Sequence, residues 1–427
     1  MLSGLLRAAP VALSAALLAS PLACSKSDSP DKSPAPSAAP APTSAPTAVT
    51  PTAAPSADGP GPIVTIPAGK LIAGTACGDH PRMPSEEPAG VSFDLGEFTI
   101  DAYPYPNDPA QPPRTGVTQA QAKASCEARG RRLCTELEWE RACKGPTNTK
   151  YEYGNRFDGK KCPTGTGPLG PAGSHEGCKS AFGVSAMHGF VWEWTSSAWG
   201  RGEEGSSVAL RGGFGSSPYA HMRCSSAKAA APDESSKTIG FRCCGGPENG
   251  AKVDLPAPAE EVSALEAVEP LDDALAARIK RAMANGQMKE EPGFEHAFGK
   301  VWRWRPVRNE ELHIASVIKK PAGGGAALTQ PVVVQLCERT ALLVSRLKGP
   351  VEELGDAVLK ESPDKGSTEV TMTLKAGADA GEVRFTYRFG QVNIAQPPWV
   401  KEGGPAGADA GAPDAGASDA GGSDAGN

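Results

Sequence analysis

The chain has 427 residues, with 43 Lys and Arg against 49 Asp and Glu for a formal charge of −6. Set beside its 50 glycines and 41 prolines, that length is long for one domain and comfortable for two once unstructured ends are removed. No stretch interleaves Lys and Arg with aromatics as nucleic-acid surfaces do, so nucleic acid is excluded as a partner. Eleven cysteines suit an oxidising compartment.

Residues 1–24 read as a secretory signal. A short n-region carries one cation, Arg7, an apolar run covers 11–19, and Ser20-Pro21-Leu22-Ala23 places small residues before Cys24. The run is too short to span a bilayer as a helix. Leu22-Ala23-Cys24-Ser25 is similar to the lipidated cysteine of a bacterial lipoprotein signal. The expectation is an exported protein anchored to a membrane through acylated Cys24 and facing the periplasm or the cell surface. Pro21 stands where that signal usually carries an aliphatic residue, and cleavage without a lipid is the alternative.

Residues 25–62 are almost entirely Pro, Ala, Ser and Thr, which cannot bury enough apolar surface to offset chain entropy. As a flexible coil this linker spans about 35 Å. Residues 401–427 mirror it with Asp-Ala-Gly units such as Asp409-Ala410-Gly411 and Asp419-Ala420-Gly421, an acidic tail with nothing to pack.

Between these ends, two capping boxes mark helices. Thr118-Gln119-Ala120-Gln121 opens one that Gly130 ends, and Thr135-Glu136-Leu137-Glu138 opens another running to Cys143. Glu138 is thereby assigned to capping, Trp139 to the core and Cys143 to a bridge. Trp192 and Trp194 alternate with Val191 and Glu193 as in a strand, where tryptophans at period two brace a core. Cys77-Gly78-Asp79-His80 is half of a metal site without the other half and reads as a surface loop. Cys162 and Cys178 bracket a Gly/Pro-rich loop that a disulfide would staple.

Residues 247–270 form a Pro/Ala/Glu-rich join. In the 271–400 region, Leu271, Leu275, Ile279 and Met283 recur every four residues up to Asn285-Gly286, predicting an amphipathic helix. Strands are predicted at 300–305, 311–319 and 332–347. A hairpin follows, in which Val370, Met372 and Leu374 face Val383, Phe385, Tyr387 and Phe389 across residues 375–382. Trp302 and Trp304, alternating with Arg303 and Arg305, suggest either an aromatic-basic surface or one set turned inward.

Four motifs carry a family resemblance: Arg132-Leu133-Cys134-Thr135-Glu136-Leu137-Glu138-Trp139-Glu140, Val191-Trp192-Glu193-Trp194-Thr195, Leu210-Arg211-Gly212-Gly213-Phe214 and Ile239-Gly240-Phe241-Arg242-Cys243. In this order they resemble the sulfatase-modifying-factor family, founded by the formylglycine-generating enzymes, over residues 63–246. The resemblance implies an α+β, irregular C-type-lectin-like domain, followed here by a small helix-and-antiparallel-sheet domain.

Active members are implied to bind copper through two thiols after the Gly-Gly, yet no cysteine lies between Gly213 and Cys224. Ser217 and Tyr219 fall near the two thiol positions, and a hydroxyl does not replace a thiolate toward Cu(I). His221 and Met222 are copper ligands in principle, but neighbours on a strand point to opposite faces. Copper is therefore not expected.

The family's calcium site implies ligands at Gly189, Val191 and Glu193, although Ala186 and Phe190 depart from its pattern. The alternative for Glu193 is a carboxylate that holds its loop by hydrogen bonds. A second calcium site has a match only in Asn155. The resemblance also implies disulfides Cys126–Cys243 and Cys143–Cys224; Cys134 and Cys244 stand where the family more often has Pro and Ala, and their joint appearance beside two bridged positions suggests a third bridge, which leaves Cys77 over. The predicted role is a non-catalytic binding or scaffold module with a protein or glycan ligand. The alternatives are a formylglycine-generating-type oxidase or another enzyme acting on an exported protein or small molecule, and a structural envelope component.

Overall fold

The computed structural model describes residues 61–163, 168–202, 206–215, 221–255, 263–288, 291–361 and 367–402. Cys24, the linker up to residue 60, Ser217, Tyr219 and the tail from 403 lie outside the described residues. The described chain is rich in strands, with three helices, and the described residues fall within one compact unit.

In residues 61–255 the two capping boxes form as predicted. Helix α1 (Gln119–Glu127) is capped by Thr118 with Gln121 bonding back, and helix α2 (Glu136–Lys144) by Thr135 with Glu138. Helix α1 ends before Gly130, which adopts φ +66° in the turn that follows. The two helices pack among three small sheets. Trp192–Ala198 is an inner strand of the second, paired antiparallel with Val208–Gly212 and parallel with Ile239–Phe241. The first sheet orders Ile63–Ile66, Phe98–Asp101, Cys243–Gly245 and Arg132–Leu133, and Gly69–Gly74 with Ala89–Leu95 forms the third. Val191, Trp192, Glu193 and Trp194 are all buried. The strand is covered on both faces, and period two does not sort its residues into inside and outside.

Four bridges cross this region: Cys126–Cys243, Cys134–Cys244, Cys143–Cys224 and Cys162–Cys178. Cys77 is not left over. It pairs with Cys337 across 260 residues of sequence, and nearby the Arg82 backbone N–H donates to Phe389 O at 3.0 Å. The loop read as a free surface is thus a seam with the C-terminal region, a pairing that no local spacing announces.

Residues 263–402 stack in three layers. Helix α3 (Asp273–Asn285), capped by Asp272, lays Ile279 and Ala282 against Val301, Ala315, Val332 and Val334 of a five-stranded antiparallel sheet. The opposite face of that sheet presents Trp302, Trp304, Ile314 and Val333 to Met372, Phe385 and Tyr387 of the second sheet. Trp302 and Trp304 are the inward set, while Arg303 and Arg305 pair with Glu266.

Three sequence expectations change here. The join contributes a strand, Ala264–Ala267, on Trp302–Arg305; its four residues are too few to show a period. The run 332–347 is two strands, Leu328–Leu336 and Ala341–Arg346, interrupted where Cys337 bonds Cys77 and Glu338-Arg339 turns the chain. The hairpin loop is tighter than 375–382, because Ala376 already pairs with Asp379 and Gly377, at φ +57°, permits a two-residue turn.

Candidate functional site

The four sequence motifs converge on a buried lattice of charges. Arg242 sets its guanidinium on both oxygens of Glu193 at 2.7 and 2.8 Å, and Trp139 Nε1 donates to the same carboxylate at 2.8 Å. The other guanidinium hydrogens reach the carbonyls of Asp101, Ser185 and Ala186 at 3.1–3.2 Å. Helix α2 faces two more arginines. Arg201 pairs with Glu136 at 2.8 Å, and Arg211 lies against Glu140 and accepts no share of solvent, donating also to Ser225 O at 2.7 Å. Arg223 pairs with Glu87 at 2.8 Å.

These pairs set the titration of the region. Burial alone would raise the Glu87 carboxyl, but the Arg223 charge and hydrogen bonds from Arg223, Ser225 and Met83 overcome it and hold it at about 2. Glu140 is likewise pulled down against its burial by Lys144 and Arg211. A carboxylate that is buried and paired in this way is bound to the fold rather than poised for proton transfer.

Of the expected calcium ligands, Gly189 takes φ +83° with its N–H on Gly213 O at 2.8 Å, and Val191 is buried beside it. Glu193 is not an open ligand. Its charge is met by Arg242, and the Ser185 and Ala186 carbonyls turn to the same guanidinium, so a calcium ion at Glu193 would have to displace an internal cation. The signal for this partner was present in the sequence as Phe241-Arg242, but its distance along the chain concealed the pairing. Asn155 accepts from Lys150 N at 3.0 Å, a turn contact. His221 packs edge-on to Trp192 at 5.9 Å, and burial and then Arg223 keep its imidazole below the usual range.

Next to Gly189 opens a pocket of about 400 Å³, lined by Lys160, Cys162, His175, Phe190 and Phe214 among others. Behind its Cys162 wall lies a group that sequence reading missed. Glu152 and His188 are 2% and 1% exposed and bonded at 2.9 Å between Oε2 and Nδ1, with the sulfurs of Cys162 and Cys178 at 3.3 and 2.5 Å from Glu152 Oε1. The partners lie far apart in sequence and none sits in a metal-binding spacing.

Residues 100–245 match the family model of the sulfatase-modifying factor enzyme 1-like domain, and this part of the chain is a domain of that kind. The inactive C-alpha-formylglycine-generating enzyme 2 of Bos taurus is 30% identical over 154 residues, covering 31% of this chain and 50% of the relative. The formylglycine-generating enzyme of Mus musculus is 30% identical over 157 residues, covering 30% of this chain and 42% of the relative. The chain thus spans about half the length of these curated relatives or less. Among solved structures, PvdO from Pseudomonas aeruginosa aligns at 21% identity with a TM-score of 0.37, over 43% of this chain and 93% of that one.

Proposed function

We propose that the sulfatase-modifying-factor domain of this chain is a non-catalytic binding module with a C-type-lectin-like architecture, carried by an exported, lipid-anchored protein. One observation carries the reading: the cysteines that could supply copper thiols are already used. Eleven cysteines less Cys24 leave ten, and those ten form five bridges. The segment between Gly213 and Cys224 holds none. Similarity to a relative named as inactive is consistent with this. The ligand surface would be the pocket bordered by Lys160, His175, Phe190 and Phe214, whose mix of cation, imidazole and rings suits a protein or glycan group. The remaining 263–402 region would serve as a second packed module joined by Cys77–Cys337.

A second reading, an oxidase, draws support from the equal identity to the formylglycine-generating enzyme itself. The test incubates the purified oxidised protein with Cu(I), oxygen and a cysteine-containing sulfatase peptide. The expected result is unchanged peptide and no stoichiometric copper; an aldehyde product would establish the oxidase instead. For anchoring, Cys24→Ser is expected to move the protein from washed membranes to the soluble fraction, and retention of the variant on membranes would show that no lipid holds it.

A further inference from the structure

We propose that Glu152, Cys162, Cys178 and His188 form a redox-gated zinc site, in which the Cys162–Cys178 bridge and a zinc-bound dithiolate are two states of one cluster. One donor atom each from Glu152, Cys162 and His188 lies within 4.8 Å of the others, and Cys178 Sγ is 2.5 Å from the same carboxylate. Ligands of a tetrahedral zinc ion, with bonds of about 2.0–2.3 Å, stand roughly 3.3–3.8 Å apart. Cys162 Sγ already stands at that spacing from Glu152 Oε1, at 3.3 Å, whereas Cys178 Sγ has to withdraw from the carboxylate as well as from its bridged partner.

The donor set is equally specific. Two thiolates, an imidazole and a carboxylate are the ligands zinc takes in closed sites. A carboxylate oxygen turned on two bridged sulfurs gains no hydrogen bond from them, since neither carries a hydrogen, whereas around a cation the same approach is coordination. Charge also balances. The zinc form adds two positive charges from the ion and two negative charges from the thiolates, so the net charge of the cluster does not change. Burial therefore does not select strongly between the two states.

Access is provided on one side. Cys162 lines the pocket of about 400 Å³, while Cys178, Glu152 and His188 are enclosed, with the Tyr151 and Tyr153 rings 6.2 and 5.8 Å from the imidazole. A dithiol reductant entering there gives two electrons and two protons to the Cys162–Cys178 bond and leaves as a disulfide. The two new thiols then lose their protons to solvent as their sulfurs bind zinc. Oxidation by a protein disulfide reverses both steps and releases the ion.

The experiment uses the full chain, treated with a trialkylphosphine until peptide mapping shows Cys162–Cys178 open and the other bridges closed. Zinc is then titrated against a chromophoric chelator. The expected result is one more zinc ion per chain than the C162S/C178S variant binds, slower alkylation of Cys162 and Cys178 with zinc present, and a sulfur-to-metal charge-transfer band when Co(II) replaces zinc. Glu152→Gln, which keeps both thiols and nearly the same volume, is expected to weaken zinc by roughly 10–100-fold. Equal zinc stoichiometry in the wild type and the double variant, or alkylation rates that zinc does not change, would overturn the proposal.

Discussion

The two halves of this molecule are held together by different physics. Residues 61–255 bury Arg201, Arg211, Arg223 and Arg242 with almost no exposure, each against a carboxylate, and cross the region with four disulfides. Residues 263–402 pack Trp304, Phe385 and Tyr387 between two sheets and place a helix on the outer face; among the described residues their one bridge is the link to Cys77. A loop-rich chain with few long strands has little apolar surface to stack, and charge pairs with covalent staples fix its geometry instead. Where strands are long and alternate cleanly, burial of side chains suffices.

The sharpest way to break that comparison is to remove one member of a buried pair. Arg242→Ala leaves Glu193 buried without its cation, and a loss of about 3–5 kcal/mol is expected in denaturant unfolding of the first region. Removing Cys126 and Cys243 together is expected to cost about 2–4 kcal/mol in the same measurement. In the second region Ile314→Val should cost about 0.5–1.5 kcal/mol, the ordinary penalty for one methyl group from an apolar core. An Arg242→Ala effect no larger than that of Ile314→Val would erase the distinction.

Acid acts with opposite sign on two of the buried carboxylates, Glu87 and Glu310. The folded-state pKa of Glu87 is depressed to about 2 from an ordinary 4.5, so its stabilisation is fully present above 4.5 and is lost as pH falls through that window toward 2. Glu310, at the seam, is raised by burial despite Arg82 at 3.3 Å and donors from Gln335 and Tyr387. A raised carboxyl takes up its proton more readily in the folded state, so its contribution improves as pH falls through the raised value. Glu87→Gln should therefore flatten the acid limb of the stability curve between 4.5 and 2, as followed by tryptophan fluorescence. The smallest expected effect is Thr135→Ala, about 1 kcal/mol for a lost cap on helix α2, measured by thermal unfolding.

Much of this was legible in the sequence because the signals are local. Thr118 with Gln121 and Thr135 with Glu138 declare their helices within four residues, and Met372 with Phe385 declare a hairpin by alternation. What stayed hidden depends on distance along the chain. Arg242 answers Glu193 from 49 positions away, Cys337 answers Cys77 from 260, and His188 answers Glu152 from 36. Family resemblance supplied the first set of disulfides but not the arginine that pairs with Glu193. A piece as short as Ala264–Ala267 is too brief to carry a period and becomes a strand by pairing with the edge of Trp302–Arg305.

Full pairing of the ten cysteines after Cys24 is tested most directly by peptide mapping of the oxidised protein under non-reducing conditions. The predicted result is five bridges, Cys77–Cys337, Cys126–Cys243, Cys134–Cys244, Cys143–Cys224 and Cys162–Cys178, with no titratable thiol in the native state. Two free thiols within residues 63–246, or Cys126 paired with Cys143, would contradict both the fold's covalent frame and the proposal that the domain works without copper chemistry.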